Sequence, residues 1–242
     1  MLFQGRRMIR PAILDNSAMQ HSRTRIKVCG FTREQDIDDA VAAGIDAAGF
    51  VLYAPSPRAV TPQRAAELAG RLPPFVTPVL LLVNADDALL AEAAEAVPQA
   101  LWQFHGDETP ERCDAVTRNG RRPYLRAARI PLGDDAPRFD LLEFCHLYSN
   151  AQAILLDAHV DGYGGGGKAF NWSQLPTNVD ARLVLSGGLT PANVGDGVCL
   201  LRKRCKSLSV DVSSGVESSR GIKDAGKIRA FIAAVRAADS TP

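Results

Sequence analysis

The chain lacks most of the features that would mark a secreted, membrane-borne or nucleic-acid-binding protein. Its five cysteines, Cys29, Cys113, Cys145, Cys199 and Cys205, are odd in number and include no C-x-x-C pair, which argues against a disulfide framework and a zinc site. His21, His146 and His159 share no ligand-like spacing with acidic residues or cysteines, so no metal is expected. No apolar run reaches the roughly 18 residues of a membrane span, and Met1 to Ser22 lacks the apolar segment of a signal peptide. Charge of either sign is not in excess: 28 basic against 27 acidic residues leave +1, too weak a field to steer nucleic acid or hold a membrane surface. A protein of the reducing cytoplasm, with neither polymer as a partner, is the expectation.

What is present is a repeat of short β-branched runs and longer amphipathic segments, the pattern of βα units around a parallel sheet. Eight strands are predicted, near Arg25–Cys29, Ala47–Leu52, Thr77–Val83, Ala100–Phe104, Pro123–Ala127, Ala153–Asp157, Arg182–Ser186 and Ser207–Asp211. Helices are predicted at Glu34–Ala43, Pro62–Arg71, Asp87–Ala96, Pro110–Asn119, Pro191–Arg202 and Ala225–Ala238, with a shorter helical pattern at Arg138–Tyr148. No G-x-G-x-x-G opens the first helix, which weakens a dinucleotide-binding open sheet. The expectation is an α/β protein of the closed parallel (β/α)8 class, a TIM barrel, for which 242 residues is an ordinary length. Leu2-Phe3-Gln4-Gly5 resembles the remnant of a tag-removal protease site, so residues 1–22 are read as a disordered or expression-derived leader and 23–242 as one barrel domain.

In such a barrel, strand ends remote in sequence meet on one rim. Cys29 ends the first strand and Asp157 the sixth, so a thiol and a carboxylate can face one substrate there. Cys29 acts as a base if neighbouring positive charge lowers its pKa, and is otherwise a small buried hydrophobe. Lys27, two residues earlier on the same face, is a source of that charge, or a structural partner of Asp211 across the barrel closure. Asp157 sits at the edge of an apolar core, where partial desolvation favours a proton-donating acid; the alternative is a turn cap. Ser186-Gly187-Gly188 and Ser213-Ser214-Gly215 follow the seventh and eighth strands, where backbone N–H groups commonly cradle phosphate. Arg58, stiffened by Pro55 and Pro57, offers a fork for a carboxylate or is a plain surface arginine. His105 at the fourth strand end is a ligand contact or a structural histidine, and Gly162 to Gly167 is a flap or a disordered loop.

These residues resemble one family in order along the chain. Lys27-Val28-Cys29-Gly30-Phe31-Thr32, Gly49-Phe50-Val51 with Ser56-Pro57-Arg58, Gln103-Phe104-His105-Gly106-Asp107-Glu108, Leu155-Leu156-Asp157-Ala158, Ser186-Gly187-Gly188-Leu189 with Pro191 and Asn193-Val194, and Asp211 through Glu217 are similar to phosphoribosylanthranilate isomerases. The resemblance implies the barrel fold and the Amadori rearrangement of N-(5′-phosphoribosyl)anthranilate to 1-(2-carboxyphenylamino)-1-deoxyribulose 5-phosphate in tryptophan biosynthesis, without a cofactor. It implies Asp157 as general acid and Cys29 as general base. It also implies Arg58 at the anthranilate carboxylate, with Gly187, Gly188, Ser213, Ser214 and Gly215 at the phosphate. His105 and Asp211 are further substrate-site candidates. The chain departs from the family pattern at Ala59, in the all-glycine flap, at Asn171 before Trp172 and at Arg220. Rivals are another phosphosugar isomerase or epimerase and a non-catalytic phosphosugar-binding barrel. The oligomeric state is read as monomer or homodimer, with monomer preferred.

Overall fold

In a computed structural model, residues 23–132, 139–158 and 171–241 are described. The leader and the Gly162–Gly167 stretch lie outside the described residues, as does part of the irregular segment between the fifth strand and the next helix.

Eight parallel strands close into a barrel in sequence order. They are β1 (Arg25–Cys29), β2 (Ala47–Leu52), β3 (Thr77–Leu82), β4 (Leu101–Phe104), β5 (Tyr124–Ile130), β6 (Ala153–Ala158), β7 (Val179–Leu185) and β8 (Cys205–Val212). The barrel shuts where β1 pairs with β8, setting Lys27 opposite Asp211. Helices α1 (Glu34–Ala43), α2 (Pro62–Ala69), α3 (Asp87–Ala96), α4 (Pro110–Thr117), α5 (Leu141–Leu147), α6 (Val194–Leu201) and α7 (Ala225–Asp239) follow β1 to β5, β7 and β8, while the described residues between β6 and β7 hold only a 3-10 turn at Trp172–Gln174.

Local chemistry sets most helix ends. Thr61, Asp86, Thr109, Asp140 and Asp224 each cap a helix by accepting a hydrogen bond from the backbone N–H three residues on. Gly44 ends α1 in the left-handed conformation. Where the structure departs from expectation, the cause is visible. α4 stops at Thr117 because Arg118 and Asn119 take positive φ. α6 begins at Val194, after a turn in which the Asn193 side chain accepts from Thr190 N–H and donates to the Gly188 carbonyl. A short antiparallel hairpin that the sequence pattern did not announce, β9 (Glu217–Ser219) with β10 (Ile222–Lys223), follows β8.

Alternation along the strands divides the side chains into two sets. Ile26, Val28, Phe50, Leu80, Phe104, Leu156, Leu185 and Val210 face the helices, where the main apolar core lies. The barrel interior is narrower and mixed: Ala127, Leu155 and Val184 form a small apolar layer, while Lys27, Gln103 and Asp211 are buried polar groups. The functional residues sit above that layer, toward the C-terminal ends of the strands. Truncating the layer should loosen the whole sheet: Leu155→Ala, at a fully buried position, is expected to cost about 2–5 kcal/mol, read as a lower urea midpoint with an unchanged m-value.

Candidate active site

One cavity opens at the C-terminal mouth of the barrel, lined by Cys29, Arg58, His105, Asp157, Asp211 and the two glycine-bearing loops after β7 and β8. The candidates drawn from distant parts of the sequence therefore share a single site, because parallel strands deliver all their C-terminal ends to one rim.

Cys29 closes β1 opposite Gly49 of β2. A Cβ at Gly49 would lie 2.6 Å from the Cys29 sulfur, so the missing side chain makes room for the thiol. Beneath it, Lys27 Nζ donates to Asp211 Oδ2 at 2.8 Å, both side chains being almost fully buried. Burial acts against the lysine charge, but Asp211 and Cys29 more than offset it and leave the ammonium above its ordinary value. The thiol behaves otherwise than the sequence reading required. Burial raises its pKa; Lys27 pulls the other way, but its charge is shared with Asp211 and does not win. Burial thus favours the protonated thiol, with an ammonium beside it that limits the cost of ionisation.

Asp157 is held from both sides. Its Oδ1 accepts from the backbone N–H of Ala158 at 2.9 Å, and its Oδ2 lies 2.9 Å from His105 Nε2. The backbone bond that the sequence reading set against an acid role is therefore present, and it leaves Oδ2 on the cavity side with His105. Gly187, at φ +74°, lets the loop after β7 pass close: a Cβ there would lie 2.9 Å from Asp157 Oδ1. Gln103 Nε2 in turn lies 3.0 Å from His105 Nδ1.

Arg58 is no surface arginine. Its Nε and Nη2 donate to the two carboxylate oxygens of Glu217 at 2.7 and 2.8 Å, and its stem lies over Gly30, where a Cβ would come within 2.4 Å of Cδ. Lys223 Nζ donates to the same carboxylate at 2.9 Å. Burial works against the Glu217 charge, yet Arg58 and Lys223 hold its carboxyl below the usual range. The guanidinium is fixed by this bidentate pair more than by the flanking prolines, and Nη1 is left without a bond to the described residues.

The loops after β7 and β8 touch: a Cβ at Gly215 would sit 1.9 Å from the Leu189 carbonyl oxygen. Ser213 Oγ donates to the Cys29 carbonyl at 3.0 Å, and Lys223 Nζ donates to the Ser213 carbonyl at 3.1 Å. Residues Ser214–Val216 then form a single 3-10 turn, and Ser213, Ser214 and Gly215 line the cavity. Glu217, Lys223, Tyr53 and Ser56 were not singled out by sequence reasoning. Only Glu217 and Ser56 carried a signal, as members of the motif strings around Ser213–Gly215 and Arg58.

The state of the thiol can be measured. Iodoacetamide labelling of Cys29, followed on its own peptide by mass spectrometry, should rise with pH to a midpoint above the about 8.5 of a free thiol, and Lys27→Met should slow it further at pH 8. A midpoint at or below 8.5 in the wild type would contradict this electrostatic account.

The comparisons with known proteins agree with this geometry. The family model for "N-(5'phosphoribosyl)anthranilate (PRA) isomerase" matches residues 26–234. N-(5′-phosphoribosyl)anthranilate isomerases of Methylibium petroleiphilum and Leptothrix cholodnii are similar at 61% and 58% identity, over 90% of this chain and 96% and 94% of theirs. A phosphoribosyl anthranilate isomerase solved in complex with reduced 1-(o-carboxyphenylamino)-1-deoxyribulose 5-phosphate aligns with a TM-score of 0.70 at 31% identity, covering 88% of this chain and 99% of its own. The barrel, the residues gathered at its mouth and these likenesses converge: the chain belongs to the N-(5′-phosphoribosyl)anthranilate isomerase family.

Proposed function

We infer that this barrel rearranges N-(5′-phosphoribosyl)anthranilate to 1-(2-carboxyphenylamino)-1-deoxyribulose 5-phosphate, with Asp157 as general acid and Cys29 as general base. The observation that carries the assignment of roles is that a thiol, a carboxyl group, an arginine and two anion-suited loops line the same cavity. The ligand in the similar solved complex has a carboxylate at one end and a phosphate at the other, which supports the same placement here. The activity is assigned to residues 23–242.

The 5′-phosphate is held by the backbone of Gly187-Gly188 and Ser213-Ser214-Gly215, and the anthranilate carboxylate by the outward donor of Arg58. With both charged ends fixed, the sugar carbons lie between Asp157 and Cys29. Asp157 protonates the furanose ring oxygen as its bond to C1′ breaks, giving a Schiff base. Conjugation with the iminium makes the C2′ proton acidic, and Cys29, once its own thiol proton has passed to solvent, removes it as thiolate. The resulting enolamine tautomerises to the ketone. Lys27 remains below the sulfur throughout, so the thiolate forms next to a fixed positive charge. His105 and Asp211 line the same cavity and act through the groups they face, His105 on Asp157 and Asp211 on Lys27.

The test follows the fluorescence of phosphoribosylanthranilate generated in place from anthranilate and phosphoribosyl pyrophosphate. Wild type should consume the signal, and Cys29→Ala and Asp157→Asn should each lower kcat by about 100- to 10,000-fold. Unchanged fluorescence with folded wild type would overturn the reading; full activity in either variant would overturn the role given to that residue.

A further inference from the structure

We propose that Gln103 and His105 are positioning residues that decide when Asp157 carries its proton, through a carboxamide–imidazole–carboxylate chain whose amide has two working orientations. The proposal rests on the acid role given to Asp157 above. It begins from an oddity in the barrel interior. Gln103 on β4 is completely buried and shares a strand face with His105, yet its side-chain oxygen Oε1 has no hydrogen-bond partner among the described residues. Buried amide oxygens are seldom left so, and an orphan of this kind calls for a reason.

In the arrangement observed, Gln103 Nε2 donates to His105 Nδ1 at 3.0 Å, which makes Nδ1 an acceptor. The ring proton is then on Nε2, which donates to Asp157 Oδ2 at 2.9 Å, and Asp157 is a carboxylate. This is the resting state, with no proton to give. A half-turn of the Gln103 amide exchanges oxygen and nitrogen without changing the shape that the interior must accommodate. Oε1 then accepts from an Nδ1–H while Nε2 takes the unpartnered place, and the His105–Asp157 pair holds one more proton, shared along the Nε2 to Oδ2 line. This is the state a general acid needs. One geometry therefore fits two proton inventories, and in each of them one end of the Gln103 amide is left unpartnered among the described residues.

The surroundings favour loading. Asp211 of β8 faces His105 and Asp157, and only its Oδ2 is engaged by Lys27 of β1; its Oδ1 is also without a partner among the described residues. Its negative potential stabilises a protonated imidazole. Cys29 of β1 adds to that potential when ionised. Arg129, which pairs with Asp157 in the strand register and reaches Asp107 at 3.7 Å, acts in the opposite sense. Tyr53 and Arg58 reach the cavity from the loop after β2, while the ends of β3 and β7 and the residues after them bring Leu81, Val83, Ser186, Gly187, Gly188 and Leu189, none with a charged side chain.

The proton balance closes over a turnover. A proton from bulk water enters at Nδ1 as the amide turns, giving an imidazolium. The Nε2 proton moves to Oδ2 and from there to the substrate ring oxygen, which takes the electron pair of the breaking C1′–O bond. Nδ1–H stays on Oε1, and the proton that Cys29 removed from C2′ is available to reload the pair through the open mouth.

The test is ¹⁵N NMR of histidine-labelled protein, with His105→Asn identifying the His105 signal among the chain's 4 histidines. At high pH the signal should show the Nε2–H tautomer, with proton uptake at Nδ1 on acidification. Gln103→Glu should raise the pH of that uptake by about 1–3 units, Gln103→Met should lower it, and one limb of the kcat/KM profile should move with each. An uptake pH identical in all three folded proteins, or a kinetic profile that stays put while the NMR midpoint moves, would overturn the proposal. Should neither Gln103 variant fold, wild type alone still decides, since an Nδ1–H tautomer at high pH contradicts the resting state. Failure of the isomerase reading would show separately, as wild type that takes up the proton yet leaves phosphoribosylanthranilate unconverted.

Discussion

The buried pair between Lys27 and Asp211 is the interaction on which both the closure of the barrel and its chemistry depend. The two residues are opposite one another where β1 meets β8, the last seam of the sheet. Leaving either charge alone in that interior costs about 3–5 kcal/mol, whereas an exposed pair such as Lys206 with Asp180 contributes about 0–1 kcal/mol. The pair is therefore a strong constraint on how the seam aligns. It also fixes an ammonium below Cys29, at the one place where a buried thiolate has to form. Burial that disfavours the thiolate in the resting protein also slows its reaction with other electrophiles.

A second constraint runs around the rim. Glu217 and Lys223 belong to the small hairpin after β8, and through Arg58 they couple that hairpin to the loop after β2. Ser213 ties the same region to the backbone of Cys29. The group proposed to hold the carboxylate end of the ligand and the loop proposed to hold its phosphate end are thus anchored to one scaffold. The distance between the two ends of the ligand is preset, which is how a site without a metal among the proposed groups can orient the acid on the ring oxygen and the base on C2′.

Much of this was legible in the sequence, for identifiable reasons. β1 and β2 have the bounds that their β-branched and apolar runs suggested, and Thr-Pro at Thr61 and Thr109 marked two helix starts as caps. Cys29, Asp157 and the two glycine loops could be placed at strand ends, and a barrel brings strand ends together. Relations between neighbouring strands were harder to see. Gly49 stands in a motif, but its purpose, room for the sulfur of Cys29, depends on the register of β1 against β2. Lys223 follows Ser218-Ser219-Arg220-Gly221, a string that reads as loop, so its burial against Glu217 had no local signal. The pKa of Cys29 was open to the opposite expectation because a nearby lysine is visible in sequence and the degree of burial is not.

The central claim is that Cys29 faces C2′ and Asp157 the ring oxygen of one substrate held at both ends. The most direct measurement is a crystal structure of this protein with reduced 1-(o-carboxyphenylamino)-1-deoxyribulose 5-phosphate, the ligand of the similar solved complex. The account predicts the phosphate on the backbone N–H groups of Gly188 and Ser213–Gly215, the carboxylate at Arg58, C2′ about 3–4 Å from the Cys29 sulfur, and the former ring oxygen against Asp157. A ligand bound with its ends reversed, or with C2′ turned away from Cys29, would contradict it.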